Sequence, residues 1–142
     1  RGLGDVYKRQ PLPRPAAAPL AQLDGCNIPV IAAWPGADDA LVDAVAASRP
    51  DGIVVAALGA GNVSEQMGTG LARALDAGIP VVISTSVPRG EVAFAYGGAG
   101  GGNTLGAKGA LPAGFLRPGQ ARMALATALA AGVDPAPLLG AH

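Results

Sequence analysis

Three groups of side chains in this sequence are of types that do chemistry. The first is Asn62, the last residue of the turn Gly59-Ala60-Gly61-Asn62. Glycines accept positive φ at no steric cost and let backbone approach a ligand closely. A Gly-rich turn that opens a helix offers unpaired N–H groups to an anion, so a phosphate is the first ligand to weigh. The dinucleotide fingerprint, however, wants a third glycine three positions after Gly61, and Ser64 stands there. It also wants an acidic residue at the end of the next strand, where this chain has Ser84-Thr85-Ser86. A plain strand-to-helix turn accounts for the glycines equally well. Asn62 with Glu65 three residues on then matches a capping box.

The second group is that hydroxyl run, Ser84, Thr85 and Ser86. No base stands near it in sequence, which argues against a nucleophile. The third group is Glu91, Tyr96 and Lys108, the polar residues of a Gly-rich stretch. They are either substrate contacts or solvated loop residues, and the second is the commoner case. Cys26 has no histidine near it in sequence and reads as a structural or exposed thiol. One Cys and one His, the terminal His142, do not make a zinc site, and no metal or cofactor is expected.

The elements that would position these groups follow from hydrophobic pattern. Ile53-Val54-Val55-Ala56-Ala57 is apolar without alternation and β-rich, as a strand buried on both faces of a parallel sheet is. Asn27 to Trp34 and Ile79 to Ser84 read the same way. Between them lie helical stripes. Leu41, Val42 and Val45 make one, with Asp38 as cap. Val63, Met67, Leu71, Ala74 and Leu75 make the next, closed by Gly78. Gly68 and Gly70 weaken that helix by about 1 kcal/mol each relative to Ala, and suggest close packing against the sheet. From Glu91 to Gly106 periodicity is lost, and Gly97-Gly98-Ala99-Gly100-Gly101-Gly102 cannot lie inside an element. Ala110 to Leu116 returns as a fourth strand, at an edge because of Pro112. A helix starts at Pro118, buries Ala121, Leu125, Ala128 and Leu129, and ends at Gly132. Ala136 to Leu139 is a final short turn or helix. The expectation is an α/β fold: three layers, with about four mainly parallel strands flanked by helices, Rossmann- or flavodoxin-like.

The totals narrow the partners. Ten basic and ten acidic residues cancel, and aromatics are only 4%, so neither nucleic-acid charge nor base stacking is favoured. No run of 18 apolar residues suggests a membrane span. A single cysteine forbids an internal disulfide. Residues 1–10 carry no periodicity and read as a non-native junction, and Pro/Ala-rich residues 11–25 read as a linker. The folded domain is expected over residues 26–142. With no initiator Met, sequence upstream is expected to be missing, and the compartment stays undefined.

Several motifs in one order carry a resemblance. They are Asp51-Gly52-Ile53-Val54-Val55, Gly59-Ala60-Gly61-Asn62-Val63, Ala77-Gly78-Ile79-Pro80-Val81-Val82 and Ser86-Val87-Pro88-Arg89-Gly90. The block Gly114-Phe115-Leu116-Arg117-Pro118-Gly119-Gln120-Ala121-Arg122 completes them. Together, from Cys26 onward, the chain resembles the C-terminal domain of bacterial L-asparaginases. The usual form of the last block there is close to Gly-Asp-Leu-Asn-Pro-Gln-Lys-Ala-Arg, so Phe115 replaces an aspartate.

The resemblance implies part of an amidohydrolase that converts L-asparagine to L-aspartate and ammonia, in some members with side activity on glutamine. It implies a homotetramer built as a dimer of dimers, with no cofactor. The catalytic threonines of that family sit in an N-terminal domain, in Thr-Gly-Gly-Thr-Ile and Thr-Asp motifs absent from this sequence. The fragment is therefore expected to be inactive alone. Asn62 matches the residue that the family's C-terminal domain supplies to a neighbouring subunit's site. A Glu in the loop after the Pro-x-Gly turn holds the substrate amine in some members, which makes Glu91 and Tyr96 the candidates here. A free-standing flavodoxin-like or dinucleotide-binding module is the alternative, and a truncated amidotransferase subunit lies close to the first reading.

Overall fold

In a computed structural model, the structure describes residues 23–94, 98 and 100–140 of the chain. Four parallel strands form one sheet in the order of the chain: β1 (Val30–Ala32), β2 (Ile53–Ala57), β3 (Val81–Thr85) and β4 (Leu111–Pro112). The register pairs Val30 with Val54, Val54 with Val82, and Val82 with Leu111. Helix α1 (Ala40–Ala47) joins β1 to β2, α2 (Glu65–Asp76) joins β2 to β3, and the short α3 (Gly102–Ala107) precedes β4. Helix α4 (Pro118–Ala131) and a 3-10 turn (Ala136–Leu139) end the described chain.

Strand residues alternate between two apolar layers. Ile31, Ile53, Val55, Val81 and Ile83 pack with Val42, Met67, Leu71, Ala74 and Leu105 on the side of α1, α2 and α3. Ile28, Val54 and Val82 pack with Ala121, Leu125, Ala126 and Leu139 on the side of α4. This is why β2 shows no alternation in sequence: both of its faces are covered. The expected three-layer α/β class and its all-parallel sheet are present.

Several local expectations need correction. The first strand is shorter than Asn27 to Trp34, because Pro29 has no N–H to pair and Pro35-Gly36 turns the chain away. Leu41 faces solvent at 38% exposure, so α1 buries Val42 and packs Val45 and Ala46 instead. Gly70 approaches α1, not the sheet. A Cβ there would lie 3.0 Å from Asp39 Cβ and 3.2 Å from Val42 Cβ. Arg73 bridges the same helix pair, at 2.7 Å from Asp39 and 2.8 Å from Asp43. The Gly-rich run is not wholly irregular either, because α3 begins at Gly102. A Cβ on Gly102 or Gly106 would strike the Phe94 ring, so both glycines make room for that side chain.

Candidate functional site

In open α/β sheets, ligands gather beyond the carboxyl ends of the strands, at the point where strand order reverses. The order of the four described strands never reverses. Any site at this edge is therefore built from loops: residues 33–39 after β1, 58–64 after β2, 86–94 after β3 and 113–117 after β4.

The turn after β2 is closed on itself. Leu58 N–H donates to Asn62 O at 2.8 Å, while Gly61 and Asn62 N–H donate to Leu58 O at 3.0 and 2.8 Å. Val63 N–H donates to Gly100 O at 3.1 Å. Three N–H groups that a phosphate cradle would use, those of Gly61, Asn62 and Val63, are thus already spent, which weakens the anion reading of the turn. Gly61 is required twice over. Its φ is +114°, and a Cβ would lie 2.8 Å from Val92 Cγ1.

The hydroxyl run after Ile83 holds this turn in place. Thr85 Oγ1, fully buried, donates to Gly59 O at 2.6 Å and accepts from Val87 N–H at 3.1 Å. Ser86 Oγ donates to Ala57 O at 3.1 Å, and Ser84 Oγ donates to Leu116 O at 2.8 Å. All three hydroxyls are committed to backbone carbonyls, so they act as braces between loops and not as nucleophiles.

Asn62 does not cap α2. Ser64 does: its backbone is extended and its Oγ accepts from Met67 N–H at 3.2 Å, while donating to Ala37 O. Glu65 becomes the first helical residue, where its charge suits the positive end of the helix dipole. The cap assigned to Asn62 is thereby displaced by two residues, and with Met67 three positions after Ser64 no capping box forms. The consequence is chemical. The Asn62 side chain is half-buried, and no hydrogen bond among the described residues uses its amide. It offers two donors and an acceptor at the carboxyl edge.

The other candidates are dispersed. Glu91 lies exposed in the loop after β3, one residue before Val92 packs on Gly61. Tyr96 and His142 lie outside the described residues. Lys108 pairs with Asp76 at 3.3 Å, at the far end of α2 from Asn62, and does not join the site. Cys26 sits half-buried against the α4-side layer, at the opposite edge. Asp39, beside the loop after β1, has its carboxyl held below the usual aspartate range by the hydrogen bond from Arg73. Among the described residues, no cluster of His, Cys, Asp or Glu could hold a metal ion, and no helix is long and apolar enough to cross a membrane.

Arg117 was not foreseen from the pattern. Its guanidinium donates to Val87 O at 2.6 Å, Gly90 O at 2.5 Å and Phe115 O at 3.1 Å. The available signal was an arginine immediately before a helix-opening proline, a position that ordinarily takes an acceptor side chain.

What the fold and edge define is a helix-covered parallel domain with, among the described residues, an asparagine amide at its loop edge that enters no hydrogen bond. The model of the glutaminase/asparaginase C-terminal domain family matches residues 27–138. The chain belongs to this family. It is also 39% identical over 129 residues to a protein of Deinococcus radiodurans described as "Probable L-asparaginase". That match takes in 90% of this chain and 38% of the relative, so the chain spans about two fifths of the relative's length.

Proposed function

We propose that this chain is the C-terminal part of an L-asparagine amidohydrolase, which turns L-asparagine and water into L-aspartate and ammonia. The observation that carries the reading is the Asn62 amide, freed from helix capping by Ser64 and left at the loop edge. An amide matches the α-ammonium and α-carboxylate of an amino acid, because it donates and accepts from one rigid plane. The relative's name and the family match support the substrate class.

Catalysis itself belongs to threonines in another domain, so the chain alone is inactive. Asn62 completes the site of a neighbouring subunit in a dimer of dimers. Glu91, exposed in the loop after β3, and Tyr96, by its place in the sequence, are the candidates to hold the substrate amine. No observation favours the dinucleotide alternative, since the N–H groups of Gly61, Asn62 and Val63 already bond backbone carbonyls.

The test is ammonia release from L-asparagine. The 142-residue chain is expected to release none, and a longer polypeptide carrying it together with a Thr-Gly-Gly-Thr domain is expected to turn over. In that polypeptide, Asn62→Ala lowers kcat/KM by about tenfold or more, the size of a lost substrate hydrogen bond. Ammonia release by the chain alone, or unchanged kinetics in Asn62→Ala, refutes the assignment.

A further inference from the structure

Arg117 stands at the N-cap of α4, where Ser, Thr, Asp or Asn would accept a hydrogen bond from the first helical N–H groups. A guanidinium has five donors and no acceptor, so it cannot cap. The helix compensates in part through Gln120, whose Oε1 accepts from Arg117 N–H at 2.9 Å. The arginine side chain turns instead toward two loops. Nη1 reaches Val87 O at 2.6 Å and Nη2 reaches Gly90 O at 2.5 Å, on either side of Pro88-Arg89 in the loop after β3. Nε and Nη2 both reach Phe115 O, at 3.2 and 3.1 Å, in the loop after β4.

The loop that Arg117 grips leads straight to the turn that carries Asn62. Val92 N–H donates to Gly114 O at 2.8 Å, and Ala93 N–H donates to Ala60 O at 3.2 Å. Val92 also fills the space left by the missing side chain of Gly61. Residues 86–91 form no helix or strand of their own, so the carbonyls of Val87 and Gly90 have no ladder to enter.

We propose that Arg117 is a positioning residue: its guanidinium latches the loop after β3 to the loop after β4, and so sets where Val92 and Ala93 meet the Gly59–Asn62 turn. Its consequence for a substrate rests on the reading of Asn62 given above, whereas the latch does not. The planar fork is essential, because three carbonyls from two loops converge on one side chain. A lysine ammonium is a compact point charge and cannot span them with the same geometry.

The latch is tested by backbone amide exchange on the full 142-residue chain, followed by NMR. In Arg117→Gln, exchange at Val92 and Ala93 is expected to rise about tenfold relative to Val55 and Ile83 in the sheet. Arg117→Lys is expected to raise the same ratio, by less. Gln120→Ala, which loses only the partner of the Arg117 N–H, is expected to leave the ratio unchanged. An unchanged ratio in Arg117→Gln overturns the latch, and so does an equal rise at all four amides, which would mark a purely global effect. If Arg117→Gln does not fold, the ratio in Arg117→Lys decides in the same way. Failure here leaves the assignment of Asn62 standing, since that is judged by turnover in Asn62→Ala.

Discussion

Gly61→Ala is the substitution that most directly probes how the loop edge is assembled. Two costs meet at this residue. Its φ of +114° lies where an L side chain is strained, a cost of about 1–3 kcal/mol. The added Cβ would also lie 2.8 Å from Val92 Cγ1 and 3.4 Å from Ile83 Cγ2. Valine is stiff about its single side-chain torsion, and Val92 is 2% exposed, so the clash cannot be relieved by swinging into solvent. Overpacking of this kind costs about 1–3 kcal/mol. The sum is about 2–6 kcal/mol, a large share of the stability of a domain this size. With a urea slope of about 2 kcal/mol per M, the unfolding midpoint falls by roughly 1–3 M.

Gly78→Ala is the internal reference. Its φ is +83°, and a Cβ there would meet nothing within 4 Å. It therefore carries backbone strain alone. The difference between the two variants is the steric contribution of Val92. In the double variant Gly61→Ala, Val92→Ala, the methyl that clashes is gone, so the two substitutions together should cost less than their sum. Urea titrations of the wild type, Gly61→Ala, Gly78→Ala, Val92→Ala and the double variant, read by circular dichroism, give all the required midpoints. A Gly61→Ala midpoint equal to that of Gly78→Ala, with simple additivity in the double variant, would refute the close approach of Val92 to the turn.

Two further outcomes are expected. Ser64→Ala removes the true cap of α2 and costs about 1 kcal/mol, whereas Asn62→Ala changes stability by less than about 0.5 kcal/mol; equal losses would return the cap to Asn62. Asp39 is stabilised in its charged form by Arg73, so its contribution to folding is present above the ordinary aspartate pKa of about 3.9 and is lost as pH falls through the lowered folded value. The difference in melting temperature between the wild type and Arg73→Gln should accordingly shrink between about pH 6 and pH 3, and a difference independent of pH would mean that the ion pair adds nothing.

Much of this molecule is written locally. The unbroken apolar runs at Ile53–Ala57 and Val81–Ile83 state that both faces of a sheet are covered, because only a strand between two layers tolerates apolar side chains in both directions. The stripe through Met67, Leu71 and Ala74, the left-handed Gly78 and Gly132, and the edge position of Pro112 follow from period and backbone preference within a few residues. The motifs that mark the family are local strings of the same kind.

What remained for tertiary structure were choices between neighbours of equal propensity and contacts between loops distant in sequence. Asn62 and Ser64 are both good N-caps. The choice of Ser64 came from its second bond to Ala37 O, 27 residues earlier, which no window around α2 contains. The same holds for Thr85, whose hydroxyl braces Gly59 across 26 residues, and for Arg117, which reaches Val87 across 30. Side-chain hydrogen bonds of this range depend on where the strands bring the loops, and strand order is settled by packing of the whole sheet. So the sequence alone places an amide at a turn, while only the assembled edge gives the cap to Ser64 instead of that amide and fixes the loops around it.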